Sequence, residues 1–221
     1  LLAKYGFSYC GIIYLLNGDE RLAYQRVVNL ETERILLRRW NEDDAQALYR
    51  YASDPDVGPR AGWPAHESVD ESLRVIRDIF SSDTVWAIVL KDTGEPIGCM
   101  GYYIHGISNI EIGENDAEVG YWLGKPHWNK GLCTEALQAM IQYCKDSKKF
   151  DVLWADFFIN NPASGRVMEK CGFKDTGKIN YCSHLLHGED TPVHIMRLNL
   201  GKCIDTSKIK EDELAKLLNN T

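Results

Sequence analysis

The sequence predicts an α+β fold, and three observations carry that expectation. Segments with the two-residue alternation of strands and segments with the 3.6-residue period of helices follow one another along the chain. Lys91-Asp92-Thr93-Gly94-Glu95 joins two apolar runs near its middle, the pattern of a hairpin turn. A strand also feeds the loop Trp128-Asn129-Lys130-Gly131 at the head of an amphipathic helix, and Asn161-Pro162-Ala163-Ser164 follows about thirty residues later.

Taken in order, Arg34-Ile35-Leu36-Leu37-Arg38-Arg39-Trp40 reads as a strand. Asn41-Glu42-Asp43-Asp44 then offers a capped, acidic helix start, with Ala45, Leu48, Tyr49 and Ala52 at helical spacing and Ser53-Asp54-Pro55 as the stop. Arg60-Ala61-Gly62-Trp63-Pro64 reads as a loop. A second helix is expected over 69–80, with Leu73, Ile76, Ile79 and Phe80 on one face. Residues 84–90 and 96–105 are the hairpin strands, and 117–124 is a further strand. Residues 134–145 carry Leu137, Met140, Ile141 and Cys144 at i, i+3, i+4 and i+7, as in a helix lying on a sheet. The nearly continuous apolar run 152–159 suits a strand buried on both faces. Asn161-Pro162 opens the next helix and Gly172 ends it. Strands over 174–184 and 192–198 complete the core, and the polar tail from Gly201 holds a short helix over 211–218.

Composition narrows the function classes. The 221 residues are 44% hydrophobic and 26% charged, which is ordinary for a globular protein. The apolar run 11–16 is too short to cross a bilayer. A net charge of −7 argues against general affinity for nucleic acid or anionic lipid, since both need a basic face. Seven cysteines, with no C-x-x-C and no Cys/His pair at zinc spacing, suit free thiols in a reducing cytoplasm and no metal site.

The loop at 128–136 carries its own chemistry. Gly131 lets the backbone approach a phosphate, and the free N–H groups from Lys130 to Glu135 lie at the positive end of a helix. A plain helix entry turned by a glycine is the alternative. Glu118 shares a strand face with Asp116, Gly120 and Trp122, where a carboxylate in a partly buried groove can take a proton from an amine. A solvated or salt-bridged glutamate is the other reading.

Several motifs in the right order resemble the GNAT superfamily of N-acetyltransferases, and within it the ribosomal-protein-alanine N-acetyltransferase branch. They are Thr32-Glu33-Arg34 with Leu36 and Arg38, Ser53-Asp54-Pro55, Glu118-Val119-Gly120-Tyr121-Trp122-Leu123, the span from Trp128 to Ala136, and the span from Asn161 to Phe173. The resemblance covers about 31–200. It departs from the family at Asn129, where glycine is usual, and at Cys133, where glycine or alanine is usual.

The resemblance implies a mixed, twisted sheet with helices on both faces. The strands at Glu118 and Trp154 would run parallel and splay apart to form an acyl-CoA cleft. Acetyl-CoA is the implied co-substrate, with no metal, held by Trp122, Leu123, Trp128, Asn129, Lys130, Gly131, Leu132, Cys133, Thr134 and Asn161. An N–H near Leu123 would stabilise the oxyanion. Glu118 is the implied base, beside the acetyl group, and Ser164 the donor to the departing thiolate. No tyrosine follows Asn161 in the first helical turns, so the tyrosine acid of other branches is absent there. Asn161 would hold the pantetheine arm or the loop. The bland alternatives are a helix cap for Asn161 and an ordinary first-turn residue for Ser164. Cys133 as an acyl-carrying nucleophile lacks an evident base beside it. Arg60 and Trp63 fall in the region that lines the acceptor pocket of related enzymes, though a loop tryptophan also serves as a packing anchor. His105, His127, His184, His187 and His194 include no pair at helical zinc spacing. The implied acceptor is an amine, either a small molecule or a protein N-terminus. A non-catalytic acyl-CoA-binding or sensor module is the rival function.

Residues 1–29 stand apart from the acetyltransferase-like span 30–200 and the tail 201–221. Lys4, Gly6, Phe7, Gly11 and Ile13 repeat Lys170, Gly172, Phe173, Gly177 and Ile179 at a constant offset, and Asn17-Gly18 suggests a hairpin turn. The segment reads as the end of a preceding acetyltransferase-like domain, or as a chance N-terminal hairpin. A homodimer through it is one arrangement that would cover its edges.

Overall fold

Along β5 (Val85–Leu90) successive side chains serve opposite cores, and that alternation organises the molecule. Trp86 and Ile88 face one helical layer, whereas Val85, Ala87 and Val89 face the other. The computed structural model describes residues 7–14, 20–26, 28–183 and 190–201. Lys4, Gly6, the Asn17-Gly18 turn, His184, His187 and the tail helix expected over 211–218 lie outside them.

The main sheet has eight strands in the order β3 (Leu30–Glu31), β4 (Ile35–Arg38), β5, β6 (Pro96–Ile104), β7 (Asp116–Leu123), β8 (Val152–Phe158), β10 (Asp190–Asn199) and β9 (Lys174–Ser183). Every neighbouring pair is antiparallel except β7 with β8. This is the mixed α+β sheet that the family resemblance implies. Helices α4 (Leu132–Ser147) and α5 (Pro162–Lys170) cover one face, closing a core around Leu37, Trp86, Met100, Leu137, Met140 and Leu153. Helices α1 (Ala45–Ala52) and α3 (Val69–Asp78) cover the other, over Trp40, Leu48, Ile76 and Cys99.

Local chemistry explains the helix ends. Ser68 caps α3 by accepting the N–H of Glu71 at 3.1 Å. Asp44, buried at the entry to α1, accepts two bonds from Arg38 and the N–H of Asn41. Gly172 (φ 92°) ends α5 in the left-handed conformation.

Three details differ from the sequence reading. The segment read as a loop at 60–64 begins inside a short helix, α2 (Gly58–Ala61), which Gly62 stops at φ 94°; four residues are too few to show a period. Helix α3 ends at Asp78, so Ile79 leaves the buried face and stands 57% exposed at the rim of a cleft. The two-residue β3 carries no alternation that could reveal it.

The N-terminal segment pairs as an antiparallel two-stranded sheet, β1 (Phe7–Tyr14) with β2 (Glu20–Arg26). Its register breaks between Tyr9 and Gly11. The β9–β10 ladder breaks where Asp175 and Ile179 flank Gly177, the residue that the repeat aligns with Gly11.

Close packing at β6 gives a stability test. A methyl at Gly98 would run into the carbonyl of Trp122 and the side chain of Leu123. Gly98→Ala is expected to destabilise the fold by about 1–3 kcal/mol, read as a lower urea midpoint at unchanged slope.

Candidate active site

After β7 the chain makes a short turn at Lys125–His127 and reaches Trp128, whose indole N–H donates to the Leu123 carbonyl at 2.7 Å. Asn129 (φ 60°) and Gly131 (φ 77°) then both adopt left-handed conformations before α4 begins. This accounts for the first departure from the family pattern, because asparagine tolerates that region better than other side-chain-bearing residues. The N–H groups of Leu132, Cys133 and Thr134 precede the first helical bond, Glu135 N–H to Gly131 C=O at 3.0 Å. They form a cluster of free donors, of a kind able to bind a diphosphate, at the start of a 16-residue helix.

Arg34 locks this loop from outside. Its Nη1 donates to the Lys130 carbonyl at 3.0 Å, while its Nε donates to Glu135 at 2.7 Å. Glu135 also accepts from the Arg34 N–H and the Thr32 hydroxyl. A carbonyl turned toward a phosphate would repel it, so holding the Lys130 oxygen on the guanidinium favours donors at the anion. Burial alone would raise the Glu135 pKa, but the hydrogen bonds from Thr32 and Arg34 prevail and hold it below the usual range.

Beyond the loop, β7 and β8 pair only through Asp116↔Val152, Ala117↔Leu153 and Glu118↔Trp154. Past that point both strands continue without pairing to each other, so the parallel pair splays. Gly124 N–H donates to Ile97 C=O across the Gly98↔Leu123 pair, which is therefore of the non-hydrogen-bonded kind. The N–H and C=O of Leu123 accordingly turn away from β6 and into the splay.

Glu118 sits at the branch point with 3% exposure. Its Oε2 accepts from the Ser108 hydroxyl and the Asn109 N–H, both at 2.7 Å. Oε1 has no hydrogen-bond donor among the described residues. The carboxylate thus makes no salt bridge among the described residues and lines the cleft. On the opposite face of β7, Tyr121 donates to the Ser164 carbonyl at 2.9 Å and accepts from the Ser164 hydroxyl at 3.2 Å. Burial holds its phenol well above the ordinary range.

These groups line one cleft of about 920 Å³. Asn161 does not cap its helix with its side chain; its Nδ2 donates across the cleft to the Arg60 carbonyl at 3.1 Å. The segment around α2 therefore forms a strap, with the Arg60 guanidinium 5.8 Å from the Trp128 ring and Trp63 edge-on to Trp122 at 5.5 Å. Of the sequence-identified residues, Glu118, Trp122, Leu123, Trp128, Asn129, Gly131, Leu132, Cys133, Thr134, Asn161 and Ser164 line the cleft. Lys130 enters through its carbonyl bond to Arg34. His127 packs edge-on against Tyr51, and His105 bonds the Ile112 carbonyl. Among the described residues no cluster of His, Cys, Asp or Glu could hold a metal, and no helix is long and apolar enough to cross a membrane.

Sequence reading missed Ser108, Asn109, Tyr103 and Tyr121. The first two come from the irregular β6–β7 connection, where no period exists. Tyr121 was legible in principle, since strand alternation puts it on the face opposite Glu118, toward α5.

Three measurements follow. Arg34→Ala is expected to raise the Kd for acetyl-CoA about tenfold, with Arg34→Lys failing to restore it because an ammonium cannot hold both partners in a planar fork. Because the Glu135 pKa is lowered in the fold, its stabilising contribution is present at neutral pH and lost as pH falls through that lowered value. The stability gap between wild type and Glu135→Gln, followed by denaturant titration, should shrink in acid. Burial also pushes the Cys133 thiol far up, with Cys171 nearby adding to it. Cys133→Ala should therefore retain turnover in a thiol-release assay.

Comparison with known proteins agrees with this geometry. The model of the acetyltransferase (GNAT) domain matches residues 34–174. The uncharacterized N-acetyltransferase p20 of Bacillus licheniformis is 30% identical over 153 residues, covering 67% of this chain and 83% of that protein. The [ribosomal protein uS5]-alanine N-acetyltransferase of Escherichia coli (strain K12) is 26% identical over 166 residues, covering 68% and 80% respectively. A crystal structure of an acetyltransferase (GNAT family) from Bacillus anthracis has a TM-score of 0.67 at 22% identity, covering 78% of this chain and 99% of that one. The chain belongs to the GNAT family of acetyltransferases, with acetyl-CoA as its co-substrate.

Proposed function

We propose that this protein transfers the acetyl group of acetyl-CoA to a primary amine by direct attack, without an acyl-enzyme. The acceptor is a small molecule or a protein N-terminus. The observation that carries this reading is the position of Glu118, which is buried where β7 and β8 part and has Oε1 uncommitted. A carboxylate there can receive a proton from an ammonium group and return it to solvent.

The remaining groups take complementary roles. Coenzyme A lies with its diphosphate on the N–H groups after Gly131 and its thioester in the splay. The amine nitrogen forms the C–N bond, and the C–S bond breaks. The Leu123 N–H, directed into the splay, supports the oxyanion that forms between these events. Of the two protons that leave the nitrogen, one passes to Glu118 and the other replaces the proton that Ser164 hands to sulfur. Ser164 is poised for this by a single 3.2 Å bond to Tyr121, which it can exchange for the thiolate. The raised Cys133 pKa disfavours the thiolate that an acyl-enzyme route through that residue would need.

Glu118→Gln is expected to lower kcat by about 10²- to 10⁴-fold while leaving acetyl-CoA affinity unchanged by calorimetry. Ser164→Ala should also lower kcat. Acetyl-CoA binding without turnover on any amine, insensitive to both substitutions, would instead identify a sensor module.

A further inference from the structure

Resting on the amine-transfer reading, we infer that His66 is a specificity-determining residue: its ring binds a hydroxyl or carbonyl that the acceptor carries away from its reacting amine, and Ser72 holds the ring in place. Asp44, Ser72 and Glu118 are buried polar residues. Asp44 serves the entry to α1 and Glu118 is the proposed base, whereas Ser72 on α3 is 0% exposed and has neither role. Its hydroxyl has one partner among the described residues, Nδ1 of His66 at 2.7 Å. An unbonded hydroxyl would be costly there, so serine and imidazole form a matched pair.

The backbone N–H of His66 donates to the Ala52 carbonyl at 3.0 Å, which ties the residue to the end of α1. There the Tyr51 ring packs on Gly124, just past the end of β7. The imidazole lies 5.3 Å from the Trp63 ring, and Trp63 stands edge-on to Trp122. Both connections put His66 at the Leu123 end of β7. Glu118 and Trp122 share a face of that strand with Gly120 between them, about 13 Å apart at the rise of a strand. His66 lines the cleft, and its Nε2 has no partner among the described residues. Burial lowers the pKa of the ring against the opposing pull of Glu71, so the imidazole is neutral near neutral pH. A serine hydroxyl can donate to Nδ1 or accept from it, and Nε2 then presents an N–H in the first case and a lone pair in the second. It can therefore meet a carbonyl or a hydroxyl. A carboxylate is disfavoured by Glu71, which lines the same cleft. The reacting amine belongs where β7 and β8 part, beside Glu118 and Asp156.

Thiol release from acetyl-CoA would be measured with octylamine, aminooctanol, spermidine, kanamycin and an N-terminal alanyl peptide. The best acceptor by kcat/KM is expected to carry a hydroxyl or carbonyl besides its amine, because a site built to hydrogen-bond such a group rejects analogues that lack it. For that acceptor His66→Ala is expected to raise KM about tenfold, with the loss falling in KM more than in kcat and the Kd for acetyl-CoA unchanged. Ser72→Ala changes little volume at a helical position. It should raise KM in the same direction, by about threefold, and add nothing in the His66→Ala background. Octylamine or spermidine as the best acceptor would overturn the inference, and so would a KM unmoved by either substitution; amine transfer would stand in each case. No turnover of any of the amines would overturn both readings.

Discussion

Everything in the cleft depends on one interruption, the end of hydrogen bonding between β7 and β8 after Glu118↔Trp154. A sheet interior normally pairs every backbone donor and acceptor, and leaving a strand edge unpaired inside a protein is costly. Here the edge of β7 beyond Glu118 is left open toward a cavity, where a bound molecule can complete it. That open edge is the condition for the site.

The parts that surround this gap are held by bonds that cross between elements. Arg34, at the entrance to β4, fixes both the loop before α4 and the first turn of that helix. Asn161, at the head of α5, holds the strap that follows α1. Trp128 reaches back to the end of β7. The first two join segments about a hundred residues apart, whereas Trp128 closes the turn directly after β7, so the cleft's shape is defined by both distant and local bonds. Hydrophobic alternation builds the layers, and these polar bonds align them.

That division explains what could be read from the sequence. The strands and long helices were legible because burial imposes periods on them: β5 alternates between two cores, and α4 buries Leu137, Met140, Ile141 and Cys144 as a stripe. The shape of the loop before α4 was legible because left-handed backbone and a helix entry demand particular residue types. Glu118 and Ser164 were singled out through the motifs around them. What holds them was not: Ser108 and Asn109 belong to an aperiodic connection, and the bond between Asn161 and Arg60 joins residues about a hundred positions apart. Helical capping would have been the natural reading of Asn161, yet its side chain finds a better partner across the cleft.

Neighbouring residues on a strand face opposite ways, so Glu118 and Tyr121 stand on two sides of one thin wall. With donor and acceptor placed as proposed, they would reach opposite sides of the same strand, and the acceptor could enter without the coenzyme leaving, which is the order of a ternary complex.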